Sequence, residues 1–238
     1  KDYRLLFQAI KEAVNEDYVL KNEVAKVKCP KAESKTVKAL QPDQQAKLIQ
    51  QVILEKNGGN DIKRLEGEFL VEFNYVFITL ALATGMNRAE LCGLKWTDIN
   101  FENGVISVKR NLVKVGKEIV EKEPKNKFRV RGINVGEETL RDLKKWKSFV
   151  AEHALRLGKF FKRTGYVFCS EQGTVIDPDI PSGRVVNVSK RAGVKTAIHT
   201  LRHTHISNLL NNGVNIFLVS KRAGHSTIST TVDIYGHL

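Results

Sequence analysis

With 238 residues, 42% of them hydrophobic and 8% aromatic, the chain can bury the core of one large domain, or of a domain and part of another. Its formal net charge of +13 and pI near 9.6 argue against an enzyme of small metabolites and for a polyanionic partner, most simply nucleic acid, with a merely solubilising basic surface as the bland alternative. Cys29, Cys92 and Cys169 fit neither a disulfide framework nor a zinc spacing, which points to a reducing compartment, and the longest apolar run, 76–83, is too short to span a membrane.

Taken in chain order, residues 3–14 carry Leu5, Leu6, Ile10 and Val14 at helical spacing and predict an amphipathic helix without an apolar partner nearby. Because Lys1 already stands inside that pattern, the chain reads as a fragment. Residues 19–39, lysine-rich and broken by Pro30, read as a linker whose lysines either touch phosphates or form a solvated tether. Pro42 opens a helix running to about Lys56, which Asn57-Gly58-Gly59-Asn60 stops. A strongly apolar helix follows from Glu68 to Ala83, then a short one from Arg88 to Leu94. Strands are predicted at Gly104–Lys109, Leu112–Val120 and Phe128–Val135, forming one small antiparallel sheet. Gly136-Glu137-Glu138 then opens a long helix to about Leu157, and Asp177-Pro178 leads into another from about Ile180 to Ala192. The next one carries Arg202, buries Leu201, Ile206, Leu209 and Leu210, and stops at Asn211-Asn212-Gly213. One more spans Ile216 to Arg222, and a last short helix carries Tyr235. The fold class is therefore mainly α with a small three-stranded antiparallel sheet.

The final forty residues hold the chemistry. They contain His199-Thr200-Leu201-Arg202-His203, then Gly224-His225-Ser226, then Tyr235. A phosphodiester gains charge as a fifth oxygen joins phosphorus, and fixed donors such as Arg202, His199 and His225 offset that charge where it develops. Arg202 lies three residues after His199, so the two share a helix face, and its planar fork can hold two phosphoryl oxygens. A tyrosine hydroxyl can supply the attacking oxygen and divide one hard step into two. His199, His203 and His205 invite a metal reading, but no carboxylate stands at a ligand-like spacing and His205 is off the shared face. No G-x-x-x-x-G-K-[ST] loop is present.

With Thr84-Gly85-Met86-Asn87-Arg88-Ala89-Glu90-Leu91 and a lysine-bearing stretch around Lys125, these motifs make the chain resemble the tyrosine recombinase (phage integrase) family, whose signature ends in H-x-x-R, L-G-H and Y. The resemblance implies a catalytic domain over 40–238, a linker over 19–39, and in 1–18 the last helix of a DNA-gripping domain. It makes Tyr235 the nucleophile of a 3′-phosphotyrosyl intermediate. His199 becomes a general base or a hydrogen-bond donor, and His225 a donor to a non-bridging oxygen. Lys125, preferred to Lys127, becomes the general acid for the leaving 5′-oxygen. Arg88, Lys127 and Arg129 are expected at the DNA. The implied partner is double-stranded DNA, held by four protomers that are monomers when free. No metal or cofactor is expected, and the bacterial cytosol is the expected location.

One motif departs from the family. Its first arginine falls, in register, on Asn87, which has neither charge nor fork. Arg88 is adjacent, but a step of one residue on a helix rotates about 100°, so it should point elsewhere. Loss of such a donor costs on the order of 3 kcal/mol, about a hundredfold to a thousandfold in rate. An engineered inactivation, a degenerate natural copy, and substitution by Arg88 all remain open. The chain also stops three residues after Tyr235, where the family continues into a segment that docks on a neighbouring protomer. The rival readings are a type IB topoisomerase, a DNA-binding protein that keeps the fold without the activity, and a helix-turn-helix regulator.

Overall fold

A helix that is apolar on every side is stable only when other elements wrap it, and residues 68–84 make one. In the computed structural model, which describes residues 2–28, 39–58, 67–123 and 130–236, helix α3 (Glu68–Thr84) lies at the centre of the larger of two compact units, Lys1–Thr36 and Val37–Leu238. In the smaller unit, α1 (Asp2–Asn15) buries none of its residues and leaves Leu5 and Leu6 exposed. The phenol of Tyr3 donates to the Val27 carbonyl at 2.9 Å, and Asn22 caps a single 3-10 turn, Glu23–Lys26.

Around α3 pack α2 (Pro42–Gly58), α5 (Glu137–Leu157), α6 (Asp179–Arg191) and α7 (Ile198–Asn211). Phe73 and Phe77 of α3 stack on one another, and Phe168 meets both edge-on at 5.3 and 4.9 Å, a favoured arrangement of ring quadrupoles. Trp146 of α5 is buried against Phe69 and donates its indole N–H to the Val167 carbonyl at 2.8 Å. The buried carboxylate of Glu55 on α2 accepts two bonds, of 2.7 and 2.9 Å, from Arg191 of α6.

Helix α4 (Arg88–Cys92) is shorter than predicted because Gly93 ends it. The chain then turns into β1 (Ile99–Asn100), β2 (Val105–Val108), β3 (Asn111–Val115), β4 (Glu118–Lys122) and β5 (Arg131–Asn134). The three-stranded antiparallel sheet is present, but its members are β1, β2 and β5, with Ile106 facing Ile133. The predicted strand Leu112–Val120 is instead a separate hairpin of β3 and β4. Its turn contains Gly116 at φ 62°, a left-handed conformation that glycine adopts without steric cost. The start of the third predicted strand, 128–129, lies outside the described residues. Helices α8 (Ile216–Ala223) and α9 (Ile228–Tyr235) close the chain and share a small core of Ile206, Val219, Ala223 and Tyr235.

Candidate active site

The turn between α3 and α4 is built around Gly85. It caps α3 in the left-handed region (φ 65°), and a Cβ there would stand 2.5 Å from the His205 ring, so any side chain would strain the turn and strike α7. Asn87 follows as the N-cap of α4. Its Oδ1 accepts from the Glu90 N–H at 3.0 Å, and the Glu90 carboxylate accepts from the Asn87 N–H at 2.9 Å. This reciprocal pair is a capping box, a role for which asparagine is among the best side chains and arginine has no acceptor.

The Glu90 carboxylate, almost fully buried, also takes two bonds from Arg131 of β5, at 3.0 and 3.1 Å. Arg131 in turn donates through Nε to the Arg222 carbonyl at 2.6 Å. Arg222 reaches the carbonyls of Ala83 (3.2 Å) and Asn134 (3.0 Å), and its Nε meets His205 Nε2 at 3.1 Å. The other nitrogen of His205 bonds the Leu82 carbonyl at 2.8 Å. Burial, with the neighbouring Arg222 next, pulls the His205 pKa down to about 4, so the ring is neutral and donates to Leu82 while accepting from Arg222. One polar network thus joins the ends of α3 and α8 to α4, β5 and α7.

On this frame sits a cavity of about 440 Å³, lined by Asn87, Arg88, Asn111, Lys122, His199, Arg202 and His225 among others. Arg202 donates to the Gly85 carbonyl at 2.9 Å and to the Ala223 carbonyl at 2.5 Å, so its guanidinium bridges the end of α3 and the end of α8. His225 Nδ1 pairs with the Thr231 hydroxyl at 2.8 Å, which fixes the ring, while His199 is exposed. Arg88, Lys122 and Arg202 face one lining carboxylate, Glu123, so the described lining is net cationic and suits an anion.

The structure therefore brings His199, Arg202, His225 and Asn87 together, and it adds Arg88. The expectation that Arg88 points elsewhere is corrected: Asn87 and Arg88 line the same cavity. The 100° step applies only between helical residues, whereas Asn87 is a cap in extended conformation (φ −78°, ψ 169°). Arg88 is half-exposed and pairs with Asp179 of α6 at 2.5 Å. Lys125, Lys127 and Arg129 lie outside the described residues. Among the described lining residues Tyr235 does not appear. Its phenol is buried on α9 and hydrogen-bonded to His203 Nδ1. Burial raises the Tyr235 pKa to about 12, with Arg202 pulling the other way, and burial lowers that of His203 to about 4. A protonated phenol thus donates to a neutral imidazole. Among the described residues no three His, Cys, Asp or Glu side chains could hold a metal ion, and no helix is long and apolar enough to cross a membrane.

Sequence reasoning overlooked Arg131 and Arg222, which hold the site, and Lys122, which lines it. Nothing in their local pattern sets them apart from the other basic residues of so basic a chain. His203 was visible only as a candidate metal ligand, and its contact with Tyr235 spans 32 residues.

Fold and site together define a mainly helical domain that gathers two histidines and two arginines around one cationic cavity. A model of the phage integrase family matches residues 59–238. Over 198 residues the chain is 31% identical to a protein described as "Tyrosine recombinase XerC-like" from Caldanaerobacter subterraneus, covering 78% of this chain and 51% of that protein. Over 163 residues it is 29% identical to the ICEBs1 integrase of Bacillus subtilis, covering 68% and 44%. Among solved structures, the Tn1549 transposon integrase in complex with a circular intermediate DNA superposes with a TM-score of 0.72 at 25% identity, over 98% of this chain and 73% of that one. A lambda integrase dimer bound to a core site matches with a TM-score of 0.64 at 18% identity, over 99% and 73%, a likeness of fold alone. The chain belongs to the phage integrase family of tyrosine recombinases and has that family's catalytic-domain fold. It spans about half the length of the relatives it matches.

Proposed function

We propose that this chain is the catalytic part of a site-specific DNA recombinase, an integrase of a prophage or mobile element, acting in the bacterial cytosol as a tetramer on two double-stranded DNA sites. The observation that carries the reading is the shared cationic cavity of His199, Arg202 and His225, with Tyr235 about one and a half turns along α9 from Thr230, which borders the space beside His225. Residues 1–18 are then the last helix of the DNA-gripping domain and 19–39 the tether.

In this reading Tyr235 leaves His203 and attacks a backbone phosphorus. An O–P bond forms to the phenolic oxygen, the bond to the 5′-oxygen breaks, and that oxygen departs with a proton as a 5′-hydroxyl. Arg202 and His225 meet the charge on the non-bridging oxygens, and His199 takes the phenolic proton or donates a hydrogen bond. Lys125 is the proposed proton source for the leaving oxygen. The second transfer reverses these steps with a 5′-hydroxyl of the partner strand. Bond energy stays in the phosphotyrosyl ester, so no nucleotide is consumed. A non-catalytic DNA-binding protein is the second reading, favoured by Asn87 alone.

The test uses a pool of randomised duplexes containing 5′-bridging phosphorothiolates, whose thiol leaving group religates poorly and so traps the intermediate. The expected outcome is a denaturation-resistant protein–DNA adduct mapping to Tyr235 and absent in Tyr235→Phe. If neither the native protein nor Asn87→Arg forms it, the recombinase reading fails and the non-catalytic one replaces it.

A further inference from the structure

The geometry points to Arg88 as the second guanidinium of this site, doing from the first helical position of α4 what Asn87 cannot do from the cap. The inference rests on the recombinase reading and assigns a catalytic residue within it.

Three observations support it. First, Arg88 and Arg202 line one cavity with His199 and His225, so both side chains border the space that one anion would fill. Second, the two are committed differently. The Arg202 side chain is 12% exposed and already gives bonds from both terminal nitrogens to the backbone carbonyls of Gly85 and Ala223. Those bonds position it but use donors that a five-coordinate phosphorus, with two charged non-bridging oxygens, would otherwise receive. The Arg88 side chain is 42% exposed and bonds Asp179 and Ser182, both on α6. An ion pair as exposed as Arg88–Asp179 adds little to stability, whereas a bidentate guanidinium–phosphate contact is among the strong charge-assisted bonds, so exchanging one for the other is favourable. Third, Asn87 is not spare. Its Oδ1 holds the Glu90 N–H, and Glu90 is the carboxylate on which Arg131 and the rest of the frame depend. The cap fixes where α4 begins, and that start places Arg88 on the cavity wall.

Asp179 then acts as the resting partner of Arg88. When DNA occupies the cavity, the guanidinium moves from the carboxylate to a non-bridging oxygen of the scissile phosphate. The Asp179 carboxylate that Arg88 leaves is 61% exposed and passes to water, while its neighbour Asp177 keeps Lys114 at 2.5 Å and the Asp179 backbone N–H at 2.9 Å.

The experiment measures single-turnover adduct formation on the randomised phosphorothiolate pool by native protein, Arg88→Ala, Asp179→Asn, Asn87→Arg and the double variant Asn87→Arg/Arg88→Ala. Anisotropy with a random 30-base-pair duplex reads binding separately. A thiol leaving group needs no general acid, so the rates report phosphate stabilisation. Expected are a native protein that cleaves and an Arg88→Ala protein slowed about a hundredfold or more, with duplex affinity changed less than tenfold. Asp179→Asn should cleave at least as fast as native. The double variant should recover at least tenfold over Arg88→Ala, because a guanidinium has been returned to the neighbouring register. Arg88→Ala cleaving within threefold of native overturns the inference. So does a native protein that is inert while Asn87→Arg cleaves; in both cases the recombinase reading stands. If neither native nor Asn87→Arg protein forms an adduct at Tyr235, the reading itself fails and the inference with it.

Discussion

At position 87, where the proposed recombinase would carry an arginine, stands one of the best helix caps. Asparagine serves the helix: its oxygen satisfies an N–H at the start of α4 that would otherwise lack a partner, a contribution of about 1 kcal/mol. Restoring the family's arginine removes that acceptor. Asn87→Arg is therefore expected to lose about 1 kcal/mol in urea denaturation, whatever it does to cleavage. A variant as stable as native would mean that the capping bond contributes nothing. Tyr235 carries a similar conflict under the proposed reaction, because burial holds its phenol protonated on His203 and the proton must leave before any attack.

At the scale of elements, the site is a joint between helices rather than a feature of any one of them. Glu90, Arg131 and Arg222 link α4, β5 and α8 through charges taken out of water, and such a set is costly to break from one side. Arg131→Ala leaves the Glu90 carboxylate buried with its main cation gone. We expect about 3–5 kcal/mol of lost stability by denaturant titration, with Arg131→Lys intermediate because a point charge cannot reproduce two parallel bonds. A loss below about 1 kcal/mol would show that solvent reaches the carboxylate. This joint also marks where sequence reading runs out. Helices α3, α5 and α7 were legible because their signals are local: the strongly apolar run of α3, the Gly136-Glu137-Glu138 opening of α5 and the Asn211-Asn212-Gly213 stop of α7. His199, Arg202 and His225 were legible because motif spacing carries them. The split of Leu112–Val120 into a hairpin hung on one glycine, and Arg131, the cation on Glu90, stands 41 residues away, where no local pattern names it. Arg88 was misjudged because helical rotation was applied to a residue still outside the helix.

For the whole molecule, pH acts through the histidines kept neutral. His205 titrates near 6.5 in the unfolded chain and about 4 in the folded one, so below 6.5 protons bind the unfolded state preferentially. The stability conferred by its neutral form is complete above pH 6.5 and drains away as the pH falls towards 4. For this buried ring it is on the order of 3 kcal/mol, and His203 acts in the same direction. Denaturant midpoints should thus fall between pH 7 and pH 4.5, and the fall should be shallower in His205→Gln. An equal fall in that variant would assign the acid sensitivity elsewhere.

Arg202 clamps the carbonyls of Gly85 and Ala223 from a single side chain, so it is masonry as much as reagent. An alanine there would loosen two walls at once, and its inactivity would say nothing about electrostatics. Under the proposed reaction the cleaner loss of cleavage comes from Tyr235→Phe, which deletes one oxygen and leaves the bonds of Arg202 to Gly85 and Ala223 in place.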